Sequence, residues 1–138
     1  MPSSASPVQV ALAFYDAINR DDREAALDLM HPDVEVISVA AEATGVPSIG
    51  TTQAGMQKFW AQLDEQERKV RVIVRESREV AGRALCKLAV TNEVGGSPGL
   101  VSVIWAVITV DDDGLIASTW RFSSEQAALE AAETGRSA

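Results

Sequence analysis

Hydrophobic positions along the chain follow two periods, and the change from one to the other divides it into a mostly helical first half and a stranded second half. Val8, Leu12, Tyr15 and Ile18, with Ala11 and Phe14 beside them, form the stripe of a helix lying on a core. Ser6 is placed to cap it, Pro7 takes the first helical position and Gln9 completes a capping box, so the helix runs to about Asn19. Asp21 and Glu24 offer a second capping box for a short helix that buries Ala26, Leu27, Leu29 and Met30 and ends at His31-Pro32-Asp33. Val34 to Val39 reads as a strand, and Ala40 to Gly50 as a loop marked by Gly45, Pro47 and Gly50. A third helix follows a Thr51 or Thr52 cap, with Met56, Phe59, Trp60 and Leu63 at helical spacing.

From Val70 onward the period is two. Val70, Val72 and Val74 alternate with Arg71 and Arg75, as in a strand with one wet face, and Gly82 turns the chain into Arg83 to Val94. After the Gly95 to Gly99 turn comes the longest apolar element, two runs on either side of Asp113-Gly114, which predicts a β-hairpin. If Asp113 and Gly114 are the loop, Trp105 pairs with Phe122, Ala106 with Arg121 and Val107 with Trp120. Neither face of the first run is polar, so it is expected to be covered on both sides. Ser123 or Ser124 then caps a short alanine-rich helix through about Glu133.

Composition narrows the function. The chain has 138 residues, 46% hydrophobic, which suits one domain over residues 1–138 with an ordered core of about 7–133. Its net charge of −8 sets most of the surface against nucleic acid and anionic membranes. No apolar run approaches a membrane span, and no basic n-region precedes an apolar stretch, so neither membrane insertion nor a leader is expected. A single cysteine, Cys86, permits no intrachain disulfide and points to a reducing, cytoplasmic setting. With one histidine beside it, a zinc site is not expected, nor any other metal. Asp111-Asp112-Asp113 reads more simply as a solvated turn than as a cation site.

Helices segregated against a mostly antiparallel sheet make the fold α+β. The order, with Phe14-Tyr15-Asp16-Ala17-Ile18-Asn19, Leu29-Met30-His31-Pro32-Asp33-Val34, the Gly50 to Trp60 segment and Asp113-Gly114-Leu115-Ile116 followed by Trp120, resembles the nuclear transport factor two-like superfamily. Within it the chain looks like the SnoaL-like and ketosteroid isomerase-like branch. The resemblance implies a cone-shaped curved sheet packed on N-terminal helices around a pocket.

It also tests the chemistry, position by position. A ketosteroid isomerase holds an aspartate base on its first strand and an oxyanion hole made by a tyrosine and a protonated aspartate. The matching positions here are Ser38, Phe14 and Ala106, and none can play its part, because serine needs a base of its own and the other two donate no hydrogen bond. Many SnoaL-like proteins place a histidine and an aspartate around a tryptophan on the last strand; here Thr119 and Arg121 flank Trp120. Limonene epoxide hydrolase-like members set an arginine between two aspartates, and Arg121 invites that comparison without the two carboxylates.

The resemblance places Phe14, Tyr15, Ser38, Trp60, Ala106, Thr119 and Arg121 around the pocket. Arg121 is either an anchor for an anionic ligand group, a partner of Glu35 or Glu76, or a rim residue in water. Trp60 is equally a core residue, and Tyr15 can hold its hydroxyl inside or at the surface. His31 reads as a solvated loop residue and Cys86 as a small buried apolar one. Glu42 is placed where it could cap the pocket mouth. The implied function is a small-molecule-active protein, an isomerase, cyclase or hydrolase-type enzyme on an apolar substrate bearing a carbonyl or anionic group, without a cofactor. The alternative is a binding or interaction domain that kept the cone and lost the acid/base residues. Val103, Trp105, Val107, Trp120 and Phe122 share the face that points away from the pocket, which implies a homodimer through the outside of the sheet.

Overall fold

The computed structural model describes residues 6–38, 52–94 and 101–135. Helix α1 (Pro7–Asn19) starts as its sequence dictates: the Ser6 hydroxyl accepts from the Gln9 amide at 3.2 Å, and the Gln9 side chain accepts from the Ser6 amide at 3.0 Å. Helix α2 (Arg23–Asp28) is capped one residue later than expected, by Asp22, whose carboxylate accepts from Ala25 N. Asp21 instead adopts a left-handed backbone (φ 58) in the turn after α1 and points its carboxylate at Arg71. His31-Pro32-Asp33 does not terminate the helix; Leu29 does, and strand β1 (Met30–Ser38) already includes those three residues.

Helix α3 (Thr52–Glu65) precedes strands β2 (Arg68–Val80), β3 (Arg83–Val94), β4 (Val101–Val110) and β5 (Ile116–Phe122), and helix α4 (Glu125–Thr134) closes the order. The strands form one open, curved sheet in the order β1-β5-β4-β3-β2, with β1 parallel to β5 and every other pair antiparallel. The central hairpin has the expected register, Trp105 to Phe122, Ala106 to Arg121 and Val107 to Trp120. Its loop is wider than a two-residue turn. Asp111 accepts from the amides of Asp113 and Leu115 at 2.9 and 3.0 Å, Gly114 sits at φ +80, and a shift between Thr109 and Val110 absorbs the difference. The Asp111 carboxylate thus serves the turn itself.

Two apolar layers result. On the concave side, α1 and α3 pack against Val34, Leu88, Ile104 and Ile108, all at most 2% exposed. On the convex side, α4 lays Ala128, Ala131 and Ala132 over Leu85, Val107, Trp120 and Phe122. Small residues on that helix face let it approach the indole closely. Trp120 also donates its Nε1–H to Glu35 at 2.8 Å, tying β5 to β1. The expected two-sided cover is therefore supplied for Val107, Trp120 and Phe122 by the chain's own last helix. Val103, 45% exposed, and Ile73, 49% exposed, remain open. Among the described residues no helix is long and apolar enough to cross a membrane.

Candidate functional site

The concave side of the sheet does not fill completely. A cavity of about 340 Å³ lies between α1, α3 and strands β2 to β5, within the size range of small-molecule sites. Its walls follow from strand period: Val70 and Val72 on β2, Leu88 and Val90 on β3 and Ile104 on β4 are the inward residues of their strands. Helix α3 contributes Met56, Phe59, Trp60 and Leu63, one face at helical spacing. Helix α1 contributes Phe14 and Tyr15, whose rings meet edge to face with centroids 5.4 Å apart.

Two polar groups stand in this apolar wall. The Tyr15 hydroxyl is buried and has no hydrogen-bond partner, and the same holds for Nε of Arg121. Burial keeps the Tyr15 phenol protonated far above its ordinary range, with Arg121 drawing it part of the way back. Burial also lowers the Arg121 guanidinium from its usual value, although arginine stays charged in proteins. Among the described residues no carboxylate pairs with Arg121: Glu35 bonds Trp120, and Glu76 lies 3.6 Å from Lys87. The site therefore holds one fixed cation and one neutral donor with their bonding capacity unspent, so it suits an electron-rich oxygen.

The mouth is charged. Arg23 on α2 makes two 2.8 Å bonds to Asp64 on α3 and lies over the Trp60 ring at 5.5 Å. Asp21 makes two bonds to Arg71 at 2.9 and 3.1 Å. Hydrogen bonding to these arginines holds both carboxyls below the usual carboxylate range. Among the described residues these are the carboxylates that line the cavity, and both are acceptors already engaged. Neither is suited to take a proton from carbon.

Of the residues singled out in the sequence, Phe14, Tyr15, Trp60 and Arg121 line the cavity. Ala106 and Thr119 do not; they are buried in the inward layer of β4 and β5, 0% and 3% exposed. Ser38 lies opposite Arg121 in the β1–β5 register, but its side chain, like the whole of Glu42, lies outside the described residues. Cys86 is fully buried in the same apolar layer, and His31 accepts from the Asp33 amide at 3.0 Å near the start of β1. Sequence reasoning missed the mouth residues Asp21, Arg23, Asp64 and Arg68. Charged side chains at element ends look like solvated surface, and nothing local marks them as facing one opening.

The family model for the SnoaL-like domain matches residues 11–119. No curated protein matches the chain in sequence. Among solved structures, TerC co-crystallised with polyporic acid is 21% identical, with a TM-score of 0.71 over 91% of this chain and 97% of that one. The Δ5-3-ketosteroid isomerase from Mycobacterium sp. is 19% identical, with a TM-score of 0.69 over 88% and 96%. A Mycobacterium tuberculosis protein in complex with estradiol-17β-hemisuccinate is 18% identical, with a TM-score of 0.69 over 88% and 97%. At such identities the likeness establishes the fold.

Proposed function

Since the chain belongs to the SnoaL-like family, we propose that its cavity takes up a small, largely apolar molecule by a carboxylate, enolate or carbonyl oxygen held between Tyr15 and Arg121. The observation that carries this is the pair of buried, unbonded polar groups in an otherwise apolar wall. Burying a guanidinium without a counter-ion is costly, and an anionic ligand group offsets that cost. The relatives crystallised with polyporic acid and with estradiol-17β-hemisuccinate support a small-molecule ligand.

Decanoate and decanol test the reading, because they share an apolar chain and differ in the group offered to Arg121. Arg121→Met is expected to weaken decanoate binding by roughly ten- to a hundredfold, the range of a charged hydrogen bond, while decanol changes little. Unchanged decanoate affinity would refute the anchor.

Catalysis of the isomerase, cyclase or hydrolase type is the second reading. A neutral phenol beside a fixed cation favours it, because such donors stabilise an enolate as it forms. Against it stand Asp21 and Asp64, both occupied by arginines. Deuterium exchange into the α-carbon of a bound ketone separates the two: exchange above the solution rate, lost in Tyr15→Phe, supports an enzyme, and its absence supports a binding protein.

We also infer a homodimer through the part of the convex face that α4 leaves open, where the exposed Ile73 and Val103 flank the buried Ala89 in register across β2, β3 and β4 next to Trp105.

A further inference from the structure

Resting on the reading of Arg121 as an anion anchor, we propose that the ligand is acidic at both ends, and that Arg68 at the cavity mouth receives its second acidic group. Arg68 opens β2 with the inward parity of Val70 and Val72, and it lines the same cavity as Arg121. Its one hydrogen bond goes from Nη1 to the neutral Gln66 side chain at 3.1 Å. Its Nε is buried and unbonded, as is that of Arg121.

The neighbouring charges do not compensate it. Asp64 is taken by both terminal nitrogens of Arg23, and Asp21 by both of Arg71. Lys69, the adjacent cation, also lines the cavity, but it has the opposite strand parity and faces Glu93 in the β2–β3 register without an ion pair to it. With Asp21 and Asp64 so engaged, the cations left without an ion pair along the described cavity wall are Arg121 within and Arg68 and Lys69 at the opening, and of these Arg121 and Arg68 are the two that hold a buried, unbonded Nε. This occurs in a chain of net charge −8, where an unpaired cation has an excess of acidic residues from which a partner could come. Apart from the charged residues and the Tyr15 hydroxyl, the cavity wall is hydrocarbon and aromatic. An apolar body with an acidic group at each end matches that order of charge, grease and charge.

Decanedioate and decanoate, with octanedioate and octanoate as a shorter pair, measure the second contact in the intact protein by calorimetry. For at least one length, the diacid should bind about five- to tenfold more tightly than the monoacid. Arg68→Gln should abolish that advantage, weakening the diacid by more than it weakens the monoacid. In the wild-type protein the advantage should also shrink as salt is raised, since a contact at the mouth is screened more than one inside. Equal affinities within each pair, or an advantage that survives in Arg68→Gln, would overturn the proposal. A loss in Arg68→Gln shared equally by monoacid and diacid would do the same, because it indicates general attraction rather than a second contact. Failure of the anchor reading has a different signature: decanoate would bind Arg121→Met as well as wild type.

Discussion

The side chain of Asn19, at the end of α1, closes on the backbone of Val72 in both directions, accepting from its N–H at 2.8 Å and donating to its C=O at 2.6 Å. Strand β2 is an edge strand, so these two groups have no further strand to pair with. Val72 also lines the cavity, so this clamp fixes the distance between the helix that carries Tyr15 and one wall of the site. Asn19→Ala is expected to lower stability by about 1 to 3 kcal/mol, for two partly buried hydrogen bonds. Denaturant unfolding measures it; a change within error would mean that water replaces the clamp at no cost.

Tyr15 and Arg121 are expected to trade stability for binding. Each carries a buried polar group that the protein leaves unbonded, so folding gains little from it. Tyr15→Phe should change stability by less than about 1 kcal/mol, and Arg121→Met should be neutral or stabilising by a similar amount. Both should bind carboxylates more weakly. Thermal melts alongside the decanoate titration check this, and a strongly destabilised Arg121→Met would show that the guanidinium has a structural partner.

Alkaline pH should destabilise the fold. Burial raises the Cys86 thiol from 9.0 to about 11 and moves the Tyr15 phenol in the same direction. Between those thiol values the unfolded chain has lost a proton that the folded chain retains, so the stability present below pH 9 falls as pH rises towards 11. The thiol's share is on the order of 2 kcal/mol. Cys86→Ala should flatten the decline in denaturant midpoints over this range, and an unchanged slope would exclude Cys86 as its source.

Gly135 ends α4 in the left-handed conformation, φ 73, and its amide bonds Ala131 O at 2.8 Å. A Cβ there would meet Arg83 Nη2 at 2.5 Å, while Arg83 Nη1 donates to Ala132 O at 3.0 Å. Gly135→Ala therefore combines backbone strain with displacement of the arginine that closes the helix end. It is expected to cost about 1 to 2 kcal/mol. Because α4 covers Trp120, indole fluorescence should report the same loosening, and unchanged fluorescence with full stability would contradict it.

Sedimentation tests the homodimer. Val103→Arg and Ile73→Arg place charge on the open part of the convex face without touching residues under α4. A dimer that either substitution converts to folded monomer places the interface there. A wild-type protein that stays monomeric at micromolar concentration removes the proposal.

Local chemistry was enough to determine much of this protein. The Ser6–Gln9 box and the Ser124 cap of the last helix depend on side chains within a few residues of the backbone they bond, and the hairpin register depends on one short turn and the alternation of the two strands beside it, so all three are legible in one dimension. The register survived even though the loop differed, because two apolar strands must keep their faces aligned and an irregularity beside the turn takes up the mismatch. Strand period set Arg121 and Trp120 on opposite faces of β5, but the period alone does not say which face is the inner one. Tertiary structure decided the rest. Only the packing of α4 shows that a helix of the same chain covers Trp120 and Phe122, since an apolar face states that it needs cover and not what provides it. Only the folded chain shows that Asp21 and Asp64 are spent on arginines 50 and 41 residues distant while Arg68 and Arg121 are left without carboxylates. Charge pairing at that separation depends on where the elements meet, and no local period encodes it.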